Sequence, residues 1–146
     1  TQNIVGIAAL NAGIQYVQSH QKEIVEKECF LLQKLYEGLS GYVEFYSSLE
    51  NSTPIIALNI PKKDSAYVSD LLNYKYGIVT RCGAHCAPLM HKHLKTEERG
   101  IVRLSISFQN TIEDIDFVVR AIQKISNDYK CNWFGWKNNV YPRVKR

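Results

Sequence analysis

Apolar residues recur at helical spacing from the start of the chain. Ile4, Ile7, Ala8, Leu10, Ile14 and Val17 predict a packed helix over residues 3–18, with Gly6 and Gly13 letting another backbone come close. A second, amphipathic helix is expected over about 21–38, where Ile24, Val25, Leu31, Leu32, Leu35 and Leu39 form the apolar stripe. On its wet face Lys22 with Glu26, and Glu23 with Lys27, stand at i,i+4 spacing, and Gly41 stops it. The period then changes. Residues 42–46 and 54–60 read as strands, separated by the polar turn Glu50-Asn-Ser-Thr53 and ended by Pro61. Asp64 or Ser65 caps a predicted helix to about Tyr74, and residues 76–82 read as a strand running into a loop. From Ile101 to Phe108 the alternation is clean, with Val102, Leu104, Ile106 and Phe108 on one face and Arg103, Ser105 and Ser107 on the other. Thr111-Ile-Glu-Asp114 is a variant capping box opening a helix whose Ile115, Val118, Val119, Ile122 and Ile125 point inward. The order α-α-β-β-α-β-(α)-β-α predicts an α+β fold, a small sheet of about four strands covered by helices.

Composition adds bounds to this picture. With 146 residues, 45% hydrophobic and 22% charged, the chain is an ordinary globular domain with a sizeable core, not a collagen, a coiled-coil array or a disordered tail. The net charge of +4 is unevenly placed, since residues 127–146 hold five bases (Lys130, Lys137, Arg143, Lys145, Arg146) against one acid, Asp128. Residues 1–126 are neutral. The first 21 residues carry no Asp, Glu, Lys or Arg, but six amide and hydroxyl side chains between Gln2 and Ser19 argue against a bilayer span. Four cysteines with no recognisable signal peptide predict a reducing, cytoplasmic setting and not a disulfide scaffold. A start at Thr1, not Met, predicts a processed chain or a piece of a longer one.

Reactive side chains concentrate between Arg81 and His93, in Arg-Cys-Gly-Ala-His-Cys-Ala-Pro-Leu-Met-His-Lys-His, where a strand hands over to a short helix. Pro88 suits the first turn of a helix over about 88–94, placing Cys86 just ahead of an N-terminus whose amides favour a thiolate, with Arg81 and His85 adding positive potential. Cys86 is thus a candidate nucleophile, against the plain alternative of an inert small apolar residue. Arg103 projects from the polar face of its strand, where a guanidinium either clamps a carboxylate or makes a surface ion pair. Cys82, Cys86, His85, His91 and His93 offer soft zinc ligands, but their spacing lacks the paired modules of structural zinc sites, so no metal site is expected. The tail mixes Tyr129, Trp133, Phe134, Trp136 and Tyr141 with its bases. Folding back onto the domain or onto a partner subunit is a commoner use of such a mixture than binding nucleic acid.

The run from Gly77 to Leu89 containing Arg81-x-Gly-x-His85-Cys86-Ala, with Gly100-Ile-Val-Arg103-Leu-Ser and Asn110-Thr-Ile-Glu-Asp-Ile-Asp116, resembles the C-terminal part of class V aminotransferase-type cysteine desulfurases. The opening Thr1-Gln-Asn-Ile is similar to the Gly-Thr-x-Asn element that begins the last third of those enzymes. The resemblance extends over residues 1 to about 126 and implies the small domain of a fold type I pyridoxal phosphate (PLP) enzyme, with 127–146 an extension that has no counterpart. It implies that Cys86 takes sulfur from L-cysteine as a persulfide, or is used in the related selenocysteine lyase reaction, leaving alanine. Arg103 would hold the substrate carboxylate, Arg81 and His85 would line the site, and Thr1 would reach the cofactor phosphate of a neighbouring subunit in a homodimer. A protein acceptor would then take the sulfur from Cys86. None of the twelve lysines lies in the family's Schiff-base context, so this chain alone is expected to be inactive. Two rivals stand beside this reading: another class V activity that has no use for Cys86, and a non-catalytic interaction module working through the aromatic tail.

Overall fold

The computed structural model describes residues 1–50 and 53–128. The predicted turn residues Asn51 and Ser52, and the aromatic, basic stretch from Tyr129 to Arg146 with its bearing on partners, lie outside the described residues. In chain order the elements are α1 (Ile4–Leu39), β1 (Glu44–Phe45), β2 (Ile55–Asn59), α2 (Ser65–Tyr76), α3 (Pro88–Leu94), β3 (Val102–Ser105) and α4 (Ile112–Asn127). The architecture is α+β, with a three-stranded antiparallel sheet in the order β1-β2-β3. Among the described residues no helix is long and apolar enough to cross a membrane.

The two N-terminal helices expected from the sequence are one continuous helix of 36 residues, about 54 Å long at 1.5 Å per residue. The polar stretch near residue 20 does not break it, because it contains no Pro or Gly, and its side chains bond to the helix's own carbonyls. Ser19 Oγ donates to Gln15 O (2.7 Å), and His20 Nδ1 donates to Tyr16 O (2.8 Å). The helix starts at Asn3, whose side chain accepts from the Gly6 amide. The expected packing of its first turns is corrected: Ile4, Ile7, Leu10, Ile14 and Val17 are all exposed, and burial begins only at Leu31.

The core lies between the inner face of the sheet and the helices. Ile56 and Leu58 of β2 and Val102 and Leu104 of β3 meet Leu31, Leu35 and Leu39 of α1, Val68 and Leu72 of α2, and Ile115, Ile122 and Ile125 of α4. Gly38 sits where α1 crosses α4, since a Cβ there would stand 2.8 Å from Val119 Cγ2. Helix α4 opens with the predicted capping box, Asp114 N donating to Thr111 Oγ1 and Thr111 N to Asp114 Oδ2. Of the alternating strand expected over 101–108 only Val102–Ser105 forms, with Val102 and Leu104 buried, Arg103 half-buried and Ser105 exposed, and Phe108, expected on the inner face, lies half-buried in the turn that follows.

The fourth strand expected over 76–82 is not formed. Gly77, in the left-handed region at φ 67°, closes α2, and Ile78 N donates back to Leu72 O. Thr80 Oγ1 then donates to Ser69 Oγ at 2.8 Å. These bonds tie the segment to α2, leaving a single antiparallel bridge, Arg81 with Arg103, where a strand was expected.

Candidate active site

The bridge sets the geometry of the site. Arg81 and Arg103 exchange both backbone hydrogen bonds, Arg81 N to Arg103 O at 3.1 Å and Arg103 N to Arg81 O at 2.7 Å. Directly opposed residues of an antiparallel pair project their side chains to the same face. The two arginine side chains therefore leave the same outer face, away from the core that Val102 and Leu104 enter. Among the described residues the ion pairs are Lys22–Glu26, Lys34–Asp116 and Arg99–Glu44, and neither Arg81 nor Arg103 belongs to one. Arg103 Nε is buried without a partner. Two adjacent cations without a carboxylate suit an anionic ligand that brings its own oxygens.

Beyond the bridge the loop is strapped to the residues leading into β3. Ile101 N donates to Gly83 O at 3.2 Å, and His85 Nε2 donates to Ile101 O at 3.0 Å. The His85 bond fixes the tautomer, since a carbonyl only accepts; Nδ1 of the neutral ring is then an acceptor, and it is buried with no partner. The ring also lies against buried His91, with centroids 6.2 Å apart, and His91 Nδ1 is 2.9 Å from Thr96 Oγ1.

The strap demands a glycine at position 100. At φ 62°, a Cβ on Gly100 would come within 2.7 Å of Gly83 Cα and 2.6 Å of Ser65 Oγ. The Gly100 carbonyl is held by the buried Asn59, whose Nδ2 donates at 2.7 Å. Gly100 and Asn59 were not singled out for chemistry by the sequence. A glycine immediately before a strand signals close backbone approach, but the partner it approaches is visible only in the fold.

Cys86 sits at the outer turn of this loop, one residue ahead of Ala87, the uncapped start of α3. It is exposed, as a thiol must be to meet a substrate, and both His85 (φ 50°) and Cys86 (φ 60°) occupy the left-handed region. Each such placement of a residue bearing a Cβ costs about 1–2 kcal/mol, and stored strain of this kind collects at functional sites. Cys82 is half-buried on the same loop. Arg81, His85, Cys86 and Arg103 are thus gathered on one strapped loop and the strand it bridges, whereas Thr1 stands exposed ahead of α1 with no hydrogen bond to any of them. Among the described residues no three His, Cys, Asp or Glu side chains converge to hold a metal ion.

The model of the aminotransferase class-V family matches residues 1–118. The chain belongs to this family. A probable cysteine desulfurase of Methanothermobacter thermautotrophicus is 32% identical over 135 residues, covering 86% of this chain and 32% of the relative. A cysteine desulfurase of Klebsiella pneumoniae is 32% identical over 129 residues, covering 86% of this chain and 30% of that protein. The apo structure of a cysteine desulfurase from Thermococcus onnurineus NA1 superposes with a TM-score of 0.77 at 28% identity, over 86% of this chain and 32% of that one. The chain therefore spans about a third of the length of the proteins it matches.

Class-V aminotransferases as a family work with PLP. The side chains gathered here fit the amino-acid end of such a site and not the cofactor's aldehyde. Lys63, the buried lysine among the described residues, already donates from Nζ to the Asp128 carbonyl at 2.8 Å. Among the described residues no lysine side chain bonds to this loop.

Proposed function

We propose that this chain is the sulfur-accepting small domain of a PLP-dependent cysteine desulfurase, over residues 1 to about 126. The observation that carries the reading is the pairing of Arg81 with Arg103, two guanidiniums without a carboxylate, on the strand to which the exposed Cys86 loop is strapped. The desulfurase names of the relatives support it, and the share of their length outside this chain is where the cofactor lysine belongs.

In this reading Arg103, half-buried and fixed in β3, clamps the carboxylate of L-cysteine, with Arg81 beside it. PLP, whose Schiff-base lysine is expected outside this chain, would supply the electron sink for the amino-acid carbon. The Cys86 thiolate attacks the substrate sulfur. The S–S bond forms as the substrate C–S bond breaks, and the electron pair left on the β-carbon takes a proton to give alanine, with the persulfide remaining on Cys86. His85 orders the turn through Ile101 O, and its orphaned Nδ1 is an acceptor within the loop. Thr1 reaching the cofactor phosphate of a neighbouring subunit, a homodimer, and a protein that takes the sulfur belong to the same proposal. A thiol cycling through a persulfide needs a reducing compartment, so we place the reaction in the cytoplasm. Selenocysteine is the alternative substrate, with the same clamp.

The test compares this polypeptide, and the complete protein that contains it, in the presence of PLP and L-cysteine. Alanine should appear only with the complete protein, and the Cys86 peptide should gain the mass of one sulfur. If the complete protein takes up PLP but releases no alanine and Cys86 stays unmodified, the chain serves another class-V activity.

A further inference from the structure

Helix α3 buries one side chain, and that side chain is a histidine. Of its seven residues only His91 is buried, at 3% exposed, while Leu89 and Met90 are 82% and 56% exposed. A helix this short has little stability of its own, so the seat of His91 decides where it lies, and with it the turn that carries Cys86. That seat is Thr96, 1% exposed, whose Oγ1 stands 2.9 Å from His91 Nδ1. Thr96 also joins the two sides of the loop: its amide donates to His91 O at 2.9 Å, and its carbonyl accepts from the Gly100 amide at 2.8 Å. The His91 ring in turn lies against that of His85, 29° from parallel. The turn 84–87 is closed by Ala87 N donating to Ala84 O at 2.9 Å, with His85 and Cys86 both at positive φ. A turn strained in this way persists only while its surroundings hold it. His85 holds the near side through Ile101 O. On the far side α3 begins without a side-chain cap, which leaves His91 as the buried group that holds it. An apolar side chain would fill the same space without desolvating a ring nitrogen, but it would not fix the ring's rotation, as a directional bond to Thr96 does.

We propose that His91, seated on Thr96, is a positioning residue for the chemistry at Cys86, locking the strained turn between α3 and the residues leading into β3. It acts through His85 and Thr96, not through a bond to Cys86. The carboxylate clamp is independent of it, because Arg103 is placed by the pairing of β3 with β2 and by the Arg81 bridge. Loss of the seat therefore spares substrate binding and misplaces the thiol. Misplacement of a reacting atom by about 1 Å can cost on the order of a hundredfold in rate. The role in the reaction rests on the desulfurase reading, and the hold on the turn rests on the geometry alone.

The test uses the complete protein that contains this chain, supplied with PLP and L-cysteine. Thr96→Val keeps the shape of the side chain and removes its hydroxyl. It should lower kcat for alanine release by about tenfold while KM stays within about twofold. Thr96→Ser keeps the hydroxyl and should leave kcat within about twofold of the parent's. His91→Phe, which keeps a ring against His85 but not the bond to Thr96, should match Thr96→Val. Hydrogen exchange gives a second readout that needs no sulfur chemistry. In Thr96→Val the Ala87 amide should exchange about tenfold faster, with the Arg103 amide unchanged. A parent protein that releases no alanine would refute the desulfurase reading and leave exchange to decide the hold on the turn. Unchanged exchange at Ala87, equal acceleration at Arg103, an equal loss in Thr96→Ser, or an unchanged kcat with a loosened turn would each overturn the proposal.

Discussion

Two passages of this chain lead from the sheet into a helix, and they are built in opposite ways. Between β3 and α4 side-chain oxygens satisfy the turn's amides, three from the turn and the start of α4 and one from α1. Ser107 N donates to Asn110 Oδ1, Gln109 N to Ser107 Oγ, Phe108 N to Glu28 Oε1 and Thr111 N to Asp114 Oδ2, with no residue at positive φ. Between the Arg81 bridge and α3, Gly83, His85 and Cys86 all take positive φ, and no side chain caps the helix. The loop is held instead by Gly83, His85 and Arg81 reaching across to residues 101 and 103. Of four buried polar side-chain atoms left unpaired among the described residues, His85 Nδ1 and Arg103 Nε lie here, and Asn59 Oδ1 belongs to the residue holding Gly100. The first passage is made for stability. The second gives up stability to present a thiol beside two cations.

The largest effect expected from this contrast is at Cys86. Changing Cys86→Gly should abolish sulfur gain at this position in the complete protein, read by peptide mass. The same change should raise the stability of the chain by about 0.5–1 kcal/mol, because glycine adopts φ 60° without the Cβ penalty. Cys86→Ala should abolish the sulfur gain equally without the rise in stability. A Cys86→Gly chain less stable in urea than the parent would show that the turn is unstrained and would break the contrast.

Next in size is the strap. Gly100→Ala forces a Cβ against the Gly83 backbone and Ser65 Oγ at positive φ, and should lower stability by about 2–4 kcal/mol, seen as an earlier urea midpoint. No such loss is expected from Gly41→Ala, where φ is also positive but a Cβ meets nothing within 4 Å, beyond the roughly 1 kcal/mol of the left-handed region itself. Equal losses at the two glycines would mean that contact between residues 83 and 100 carries nothing.

Much of the second half of the fold was legible because its signals are local. Pro88 at the first turn of α3, the Thr111–Asp114 box and the alternation at Val102, Arg103, Leu104 and Ser105 each need only a few neighbouring residues to be recognised. In the first half a change of composition imitates a helix break. Between Gly13 and Gly38 there is neither Pro nor Gly, so the change from uncharged to charged residues near position 22 shifts the surface of α1 and not its backbone. The same uncharged run, whose apolar spacing predicts packing, is exposed, because amphipathic spacing alone does not say which turns of a helix meet the core. At the site, the sequence offered Cys86, His85 and both arginines, but the Arg81–Arg103 bridge and the Gly83–Gly100 contact join residues 22 and 17 positions apart. Pairing of that kind is decided by the register of the sheet, which no short motif encodes.

A smaller effect tests the stable passage. Thr111→Ala removes the acceptor for the Asp114 amide and should cost about 1 kcal/mol, while Thr111→Ser, keeping the hydroxyl, should cost little. Chemical denaturation of both variants checks this, and an unchanged midpoint for Thr111→Ala would mean that the box is ornamental in this fold.

The smallest effect is a pH dependence of the same box. The Asp114 carboxyl is held below its ordinary value, first by the bond it accepts from the Thr111 amide and then by the Asn110 side chain. A carboxyl whose folded value is depressed binds fewer protons in the native state than in the unfolded one, so its contribution is complete above the unfolded value of about 3.9 and is lost as pH falls through the lower folded value. Because the group is fully exposed, salt and solvent weaken the contribution, and it should show as a slight acid-side slope in the stability curve. Asp114→Asn removes the titrating proton but leaves an oxygen that can accept from Thr111. The slope below pH 4 should flatten in that variant while stability at neutral pH changes little. An unchanged slope would assign the acid sensitivity to other carboxylates.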